Sequence, residues 1–217
     1  MNTRSTTFDA IGPLARPAVD GHGRSVVHAG SLALVWLTFL TSGIVFAEPA
    51  PVDLMLMGLA LLLPLVGLVV FTPALAGYLV LWIAIVATGF LAAPFAADPA
   101  RAASHTAVTL YLAIASFVLA GFIARNPAIH ARIVLGGLVW AAVGATLAGL
   151  AGYFDALPGA ADLFTRFGRA SGTFKDPNVY GAFLVLPAIY CLQLAIERPL
   201  RRAGWPLAGA AVLSLGI

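Results

Sequence analysis

The sequence predicts an all-α protein, a polytopic integral membrane helical bundle with six complete spans and a truncated seventh. Three observations predict it. The 217 residues are 61% hydrophobic and 10% charged, whereas a water-facing domain carries about 25% charged residues. The apolar residues gather into runs close to the roughly 20 residues that a helix needs to cross a bilayer. No Asp, Glu, Lys or Arg falls in the core of those runs. With a mean hydropathy of +0.97, the chain can cover itself only with lipid. In lipid every backbone polar group must be satisfied internally, and runs this long select the helix.

The elements follow in order. Residues 1–28 are polar and rich in Gly and Pro, with Arg4, Arg16 and Arg24. They read as a disordered cytoplasmic tail, because a cleavable signal peptide has a shorter charged start and a small-residue cleavage site. The transmembrane domain takes up 29–217. Its spans fall at about 29–47, 54–71, 74–96, 105–124, 132–152 and 179–197. Pro64 and Pro187 lie within spans and predict kinks. Gly137, Ala141, Ala145 and Gly149 recur every fourth position in the fifth span, a stripe on which another helix can pack closely. Cys191, the single cysteine, reads as a small buried residue and cannot build a disulfide or a zinc site. The last apolar run, from Trp205 to Ile217, is too short to cross. It reads as a helix cut by the end of the chain, and the chain as a fragment that would be inactive alone.

The charge of +3 says little about nucleic acid here, because in a membrane protein the placement of Lys and Arg reports topology. With the N-terminus inside, the inner segments hold Arg4, Arg16, Arg24, Arg125, Arg132, Arg198, Arg201 and Arg202. The outer segments hold Arg101, Arg166, Arg169 and Lys175. The excess of inner cations favours that orientation. The loop EPAPVD then lies outside and ARNPAIHAR inside.

The last outer loop, 153–176, carries three of the four outer cations against this bias. Its end, RFGRASGTFKDPNVYG, is the most polar stretch of the second half. Asp176 is placed to cap the sixth span with Pro177 in its first turn, and Gly172 to permit a tight turn. Two readings of the cations stand side by side. In ADLFTRFGR, Phe164 and Phe167 are three apart, as are Arg166 and Arg169. A short helix lying on the bilayer would put the rings in lipid and the guanidinium groups among headgroups, as an anchor. In the other reading Arg169 and Lys175 flank a turn beside a helix N-terminus and form an anion site suited to a pyrophosphate. His105, the outer histidine, reads as a polar end-residue. Asp98 and Arg101 read as a pair or a cap. No Ser-His-Asp set, metal-ligand cluster or phosphate-binding loop is visible.

The stretch GRASGTFKDPNVYGAFLVLPAIY resembles the segment R-x-S-G-T-F-x-(D/N)-P-N followed by a transmembrane helix, which is typical of the O-antigen ligase and O-antigen polymerase superfamily of bacterial envelopes. The match is close from Arg169 to Asn178, and the five spans before the loop fit the same layout. The resemblance implies a multi-pass glycosyltransferase of the bacterial inner membrane, N-terminus cytoplasmic, acting in lipopolysaccharide or exopolysaccharide biosynthesis. It implies an undecaprenyl-diphosphate-linked glycan as donor, and lipid A core or a growing polysaccharide as acceptor. No nucleotide sugar, cofactor or metal is implied. Periplasmic arginines engage the diphosphate in such enzymes, and a histidine in a larger outer loop further along the chain assists. Arg169 carries over as the leaving-group arginine, with Arg166 and Lys175 as supporting substrate-binding residues.

The competing expectations are a transporter or flippase of lipid-linked or anionic solutes, and a membrane scaffold in which RFGR is only an anchor. Ion-coupled transporters usually bury charged groups within their spans, and these spans hold none in their cores.

Overall fold

The computed structural model describes residues 21–199 and 203–216. Among them are eight α-helices: α1 Gly21–Thr41, α2 Pro51–Leu65, α3 Pro73–Ala92, α4 Pro99–Arg125, α5 Pro127–Tyr153, α6 Ala160–Phe164, α7 Pro177–Glu197 and α8 Gly204–Gly216. A single 3-10 turn, Ala93–Phe95, extends α3. Two short strands, β1 Thr165–Arg166 and β2 Arg169–Ala170, follow α6. The segment read as a tail overlaps α1, which begins at Gly21. Arg4 and Arg16 lie outside the described residues, as do Arg201 and Arg202.

Proline writes most of the helix starts. Helices α2, α3, α4, α5 and α7 each begin on one, where its missing N–H costs nothing and its fixed φ suits the helix. Side chains close the same ends. Thr72 accepts the Leu75 N–H at 3.3 Å, Asp98 that of Arg101 at 3.0 Å, and Asp176 that of Asn178 at 2.7 Å. Asp98 is thus a cap, and its expected pairing with Arg101 runs through the Arg101 backbone.

Four helical segments are long and apolar enough to cross a membrane: Pro73–Phe95, α4, α5 and α7. The apolar part of α1 (Val26–Thr41), α2 and α8 are shorter. Six complete spans are therefore more than the structure shows. The second predicted span fails for a visible reason. Gly67 takes φ +69, and the Leu68 N–H reaches back to the Leu63 carbonyl at 2.9 Å while that of Gly67 reaches Pro64 at 3.0 Å. This left-handed C-terminal cap stops α2 at Leu65. At 15 residues α2 is about 22 Å long, against a hydrocarbon core of roughly 30 Å. Pro64 sits inside α2, in its last turn, and Pro187 inside α7.

Helix α5 is the hub and packs on α1, α4, α6, α7 and α8. The stripe of small residues makes this possible. A Cβ at Gly137 would lie 2.6 Å from the Trp36 carbonyl oxygen, and one at Gly149 would lie 2.9 Å from the Tyr180 hydroxyl. One core gathers Val35, Leu59, Leu63, Phe122 and Val134 between α1, α2, α4 and α5. The other gathers Ala142, Phe174, Tyr180, Leu184, Cys191 and Leu213 between α5, α7 and α8. Cys191 is fully buried.

The connections sort to two ends. At one, the α1–α2 loop meets the α5–α7 loop: the Val45 N–H donates to Thr173 at 2.9 Å and the Lys175 N–H to Val45 at 3.0 Å. At the other, Arg125 donates to the Gly67 carbonyl and the Val70 N–H to Gly121 at 3.1 Å. The two loops assigned to one face of the membrane thus touch in the fold. The joint between α4 and α5 lies at the opposite end.

Candidate functional site

The opening of the polar stretch folds differently from the interfacial helix read in the sequence. Helix α6 stops at Phe164. Phe167 and Gly168 then take φ +55 and +72, the paired left-handed residues of a two-residue hairpin turn whose twist matches the flanking strands. Phe164 turns inward against Phe46, ring centroids 6.3 Å apart, while Phe167 is 93% exposed at the hairpin tip. The two rings do not share a helical face. Arg166 and Arg169 are instead direct cross-strand partners, so both project from one face of the hairpin. Like charges directly opposite each other are destabilising in a ladder, and an anion between or beside them relieves that repulsion.

Arg169 is oriented. Its Nη1 donates to Asn178 Oδ1 at 3.1 Å, which ties the hairpin to the first turn of α7. Asn178 donates its own N–H to the Asp176 carboxylate, so that negative charge is held against the positive end of the helix. Gly172, at φ +55, makes the tight turn between β2 and α7. Lys175 goes elsewhere. Its Nζ lies 3.4 Å from Glu48 Oε1, with both side chains exposed. An exposed pair of this kind contributes little energy, but it points Lys175 at the α1–α2 loop.

A cavity of about 690 Å³ opens beside Arg169, within the usual size range of ligand pockets. The end of α5 supplies Leu150 and Tyr153, α7 supplies Asn178 and Tyr180, and α8 supplies Leu215 and Gly216. Arg169 and Gly168 form its hairpin side. Arg166 and Lys175 do not line it. Of the three cations singled out in the sequence, the structure therefore brings Arg169 alone to the cavity wall. A guanidinium group carries five donors in a planar fork. With one given to Asn178, the rest can face an anion, while the apolar walls suit a lipid chain. Asn178 and Tyr180 also line the cavity, and neither was singled out among the candidate residues of the sequence. Asn178 looked like part of a helix start.

The remaining candidates have ordinary environments. His105 is exposed in the second turn of α4. His130 is buried, with Nδ1 2.5 Å from the Phe122 carbonyl oxygen and its ring stacked on Phe122 at 3.9 Å. Among the described residues no three His, Cys, Asp or Glu side chains gather as metal ligands. Compared with family models, characterised proteins and solved structures, the chain matches none.

Proposed function

We propose that the protein is a membrane glycosyltransferase of the O-antigen ligase or polymerase type, acting on an undecaprenyl-diphosphate-linked glycan at the outer face of the bacterial inner membrane. The observation that carries this reading is Arg169. It is the arginine of the motif that resembles the family, and it is held by Asn178 on the wall of a cavity beside the start of an apolar helix. In this reading an acceptor hydroxyl displaces the diphosphate at the anomeric carbon. The new glycosidic bond forms as the bond to the leaving oxygen breaks, the proton of the acceptor hydroxyl passes to water or to the departing diphosphate, and charge builds on that diphosphate as it leaves. Arg169 neutralises that charge, with Arg166 across the hairpin adding to the local positive potential. The glycan passes to lipid A core or to a growing polysaccharide.

The reading requires the hairpin to face the periplasm, where such a donor presents its glycan. The test is thiol accessibility, in a protein whose buried Cys191 has been replaced by Ala. A cysteine at Phe167, on the exposed hairpin tip, is expected to react with a membrane-impermeant reagent added to intact spheroplasts. A cysteine at Ala128, exposed at the opposite end of the bundle, is expected to react only after lysis. Labelling of Ala128→Cys in intact spheroplasts, with Phe167→Cys protected, contradicts the proposal.

A further inference from the structure

The far end of α7 carries cations that the site around Arg169 does not use. The sequence there reads RPLRR, with no acidic residue from Arg198 onward. Helices α5 and α7 run side by side from the contact of Gly149 with Tyr180 for about 25 Å. Arg198, the cap of α7, therefore sits near the depth of Arg132, at the opposite end of the bundle from the hairpin. Its guanidinium group lies over the Trp205 ring, 5.1 Å from the centroid. Its sequence neighbour Glu197 is engaged elsewhere and accepts from Gln193 Nε2 at 2.8 Å. Among the described residues Arg198 forms no ion pair. Trp205 also lines a cavity of about 360 Å³ between α5 and α8, with Trp140, Val143, Ala208, Gly209 and Val212. Packing explains why the space is there. A Cβ at Gly209 would lie 3.2 Å from Cys191 Sγ, so α8 leans closely on α7, and the small Ala208 leaves the gap toward α5 unfilled. Trp140 and Trp205 are both more than half exposed.

We infer that this cleft binds a phospholipid with an anionic headgroup, its phosphate at Arg198 and one acyl chain between α5 and α8. Two features select that occupant. The lining of the cleft is apolar and belongs to membrane-spanning surface, which suits hydrocarbon. The cation at its edge stands at the end of α7, where headgroups lie, on a segment whose positive charge no acid offsets. Such segments attract anionic lipid, and tryptophan settles at the same level. With its flat face on the Trp205 ring, the guanidinium group keeps its N–H edges free for phosphate oxygens. A zwitterionic headgroup gains less there, because its own ammonium group meets the arginine. The site is separate from the cavity beside Arg169 and does not rest on the glycosyltransferase reading.

The experiment is quenching of tryptophan fluorescence by phospholipids brominated on their acyl chains. The protein carries Trp36→Phe and Trp82→Phe, so that Trp140 and Trp205 alone report. Brominated phosphatidylglycerol and brominated phosphatidylcholine are compared, each as the same minor fraction of a phosphatidylcholine nanodisc. Phosphatidylglycerol is expected to bind about three- to tenfold more tightly, and Arg198→Gln to bring the ratio close to one. Ala208→Phe, which fills the cleft from its exposed side, is expected to weaken quenching by phosphatidylglycerol even with Arg198 in place. Equal quenching by the two lipids overturns the inference, as does a ratio that Arg198→Gln leaves unchanged. Undiminished quenching in Ala208→Phe puts the lipid outside the cleft and overturns it too. So does protection of both tryptophans from either lipid, since a protein surface would then cover the cleft.

Discussion

Arg169→Lys is expected to lower glycan transfer by the intact protein about thirty- to several hundredfold, a loss of about 2–4 kcal/mol of transition-state stabilisation. The reason is geometry rather than charge. The guanidinium fork can keep its bond to Asn178 and still offer parallel donors to phosphate oxygens, whereas an ammonium is a point charge that cannot do both in one plane. Arg169→Gln should lose at least as much. Arg166→Lys should lose less, because Arg166 does not line the cavity and the substitution keeps its charge. The measurement is transfer from a lipid-linked donor in membranes, normalised to the amount of protein. Parental rates for both Arg169 variants would return the hairpin to the role of an interfacial anchor.

Gly172→Ala is expected to destabilise the fold by about 2–5 kcal/mol, through two effects at one position. Gly172 sits at φ +55, where an L side chain is strained, and its Cβ would lie 2.6 Å from the Ala145 carbonyl oxygen and 2.8 Å from the Tyr180 ring. The first obstacle is backbone of the central helix and cannot swing away. Gly168→Ala separates the two effects. Gly168 has φ +72 but open space around it, so that variant meets the strain alone. Thermal unfolding in detergent should therefore place Gly172→Ala well below Gly168→Ala, and Gly168→Ala modestly below the parent. Equal midpoints for the two variants would show that the close approach of β2, α5 and α7 around Gly172 does not exist in the folded protein.

Much of the helical layout was legible because its signals are local. The apolar runs gave the helices, Pro177 gave the start of α7, and the fourfold spacing of Gly137, Ala141, Ala145 and Gly149 gave the packing face of α5. The cap at Asp176 and the turn at Gly172 were also readable from residue type. What escaped the sequence were the places where one residue overrides hydropathy. Gly67 ends α2 within an uninterrupted apolar run, because a left-handed cap depends on backbone conformation and not on polarity. Phe167 looked like a helix-face aromatic because it stands three residues from Phe164. The Gly that follows it turns the chain, and the pair Arg166–Arg169 becomes cross-strand instead of one helix face. Lys175 was grouped with Arg169 by proximity in sequence. Its partner Glu48 lies in another loop, and no local pattern announces a contact of that kind.

The central claim is that the cavity beside Arg169 receives the diphosphate headgroup of an isoprenoid lipid. The most direct measurement is photocrosslinking of the protein in bilayers with an isoprenyl diphosphate that carries a photoreactive group near its headgroup, followed by mapping of the adducts by mass spectrometry. Adducts are expected on the end of α5, the hairpin and the first turns of α7, around Tyr153, Gly168 and Asn178, and to disappear with excess unlabelled isoprenyl diphosphate or with Arg169→Gln. Adducts scattered over the lipid-facing surface of α3 and α4, unchanged by competitor and by Arg169→Gln, would contradict the claim.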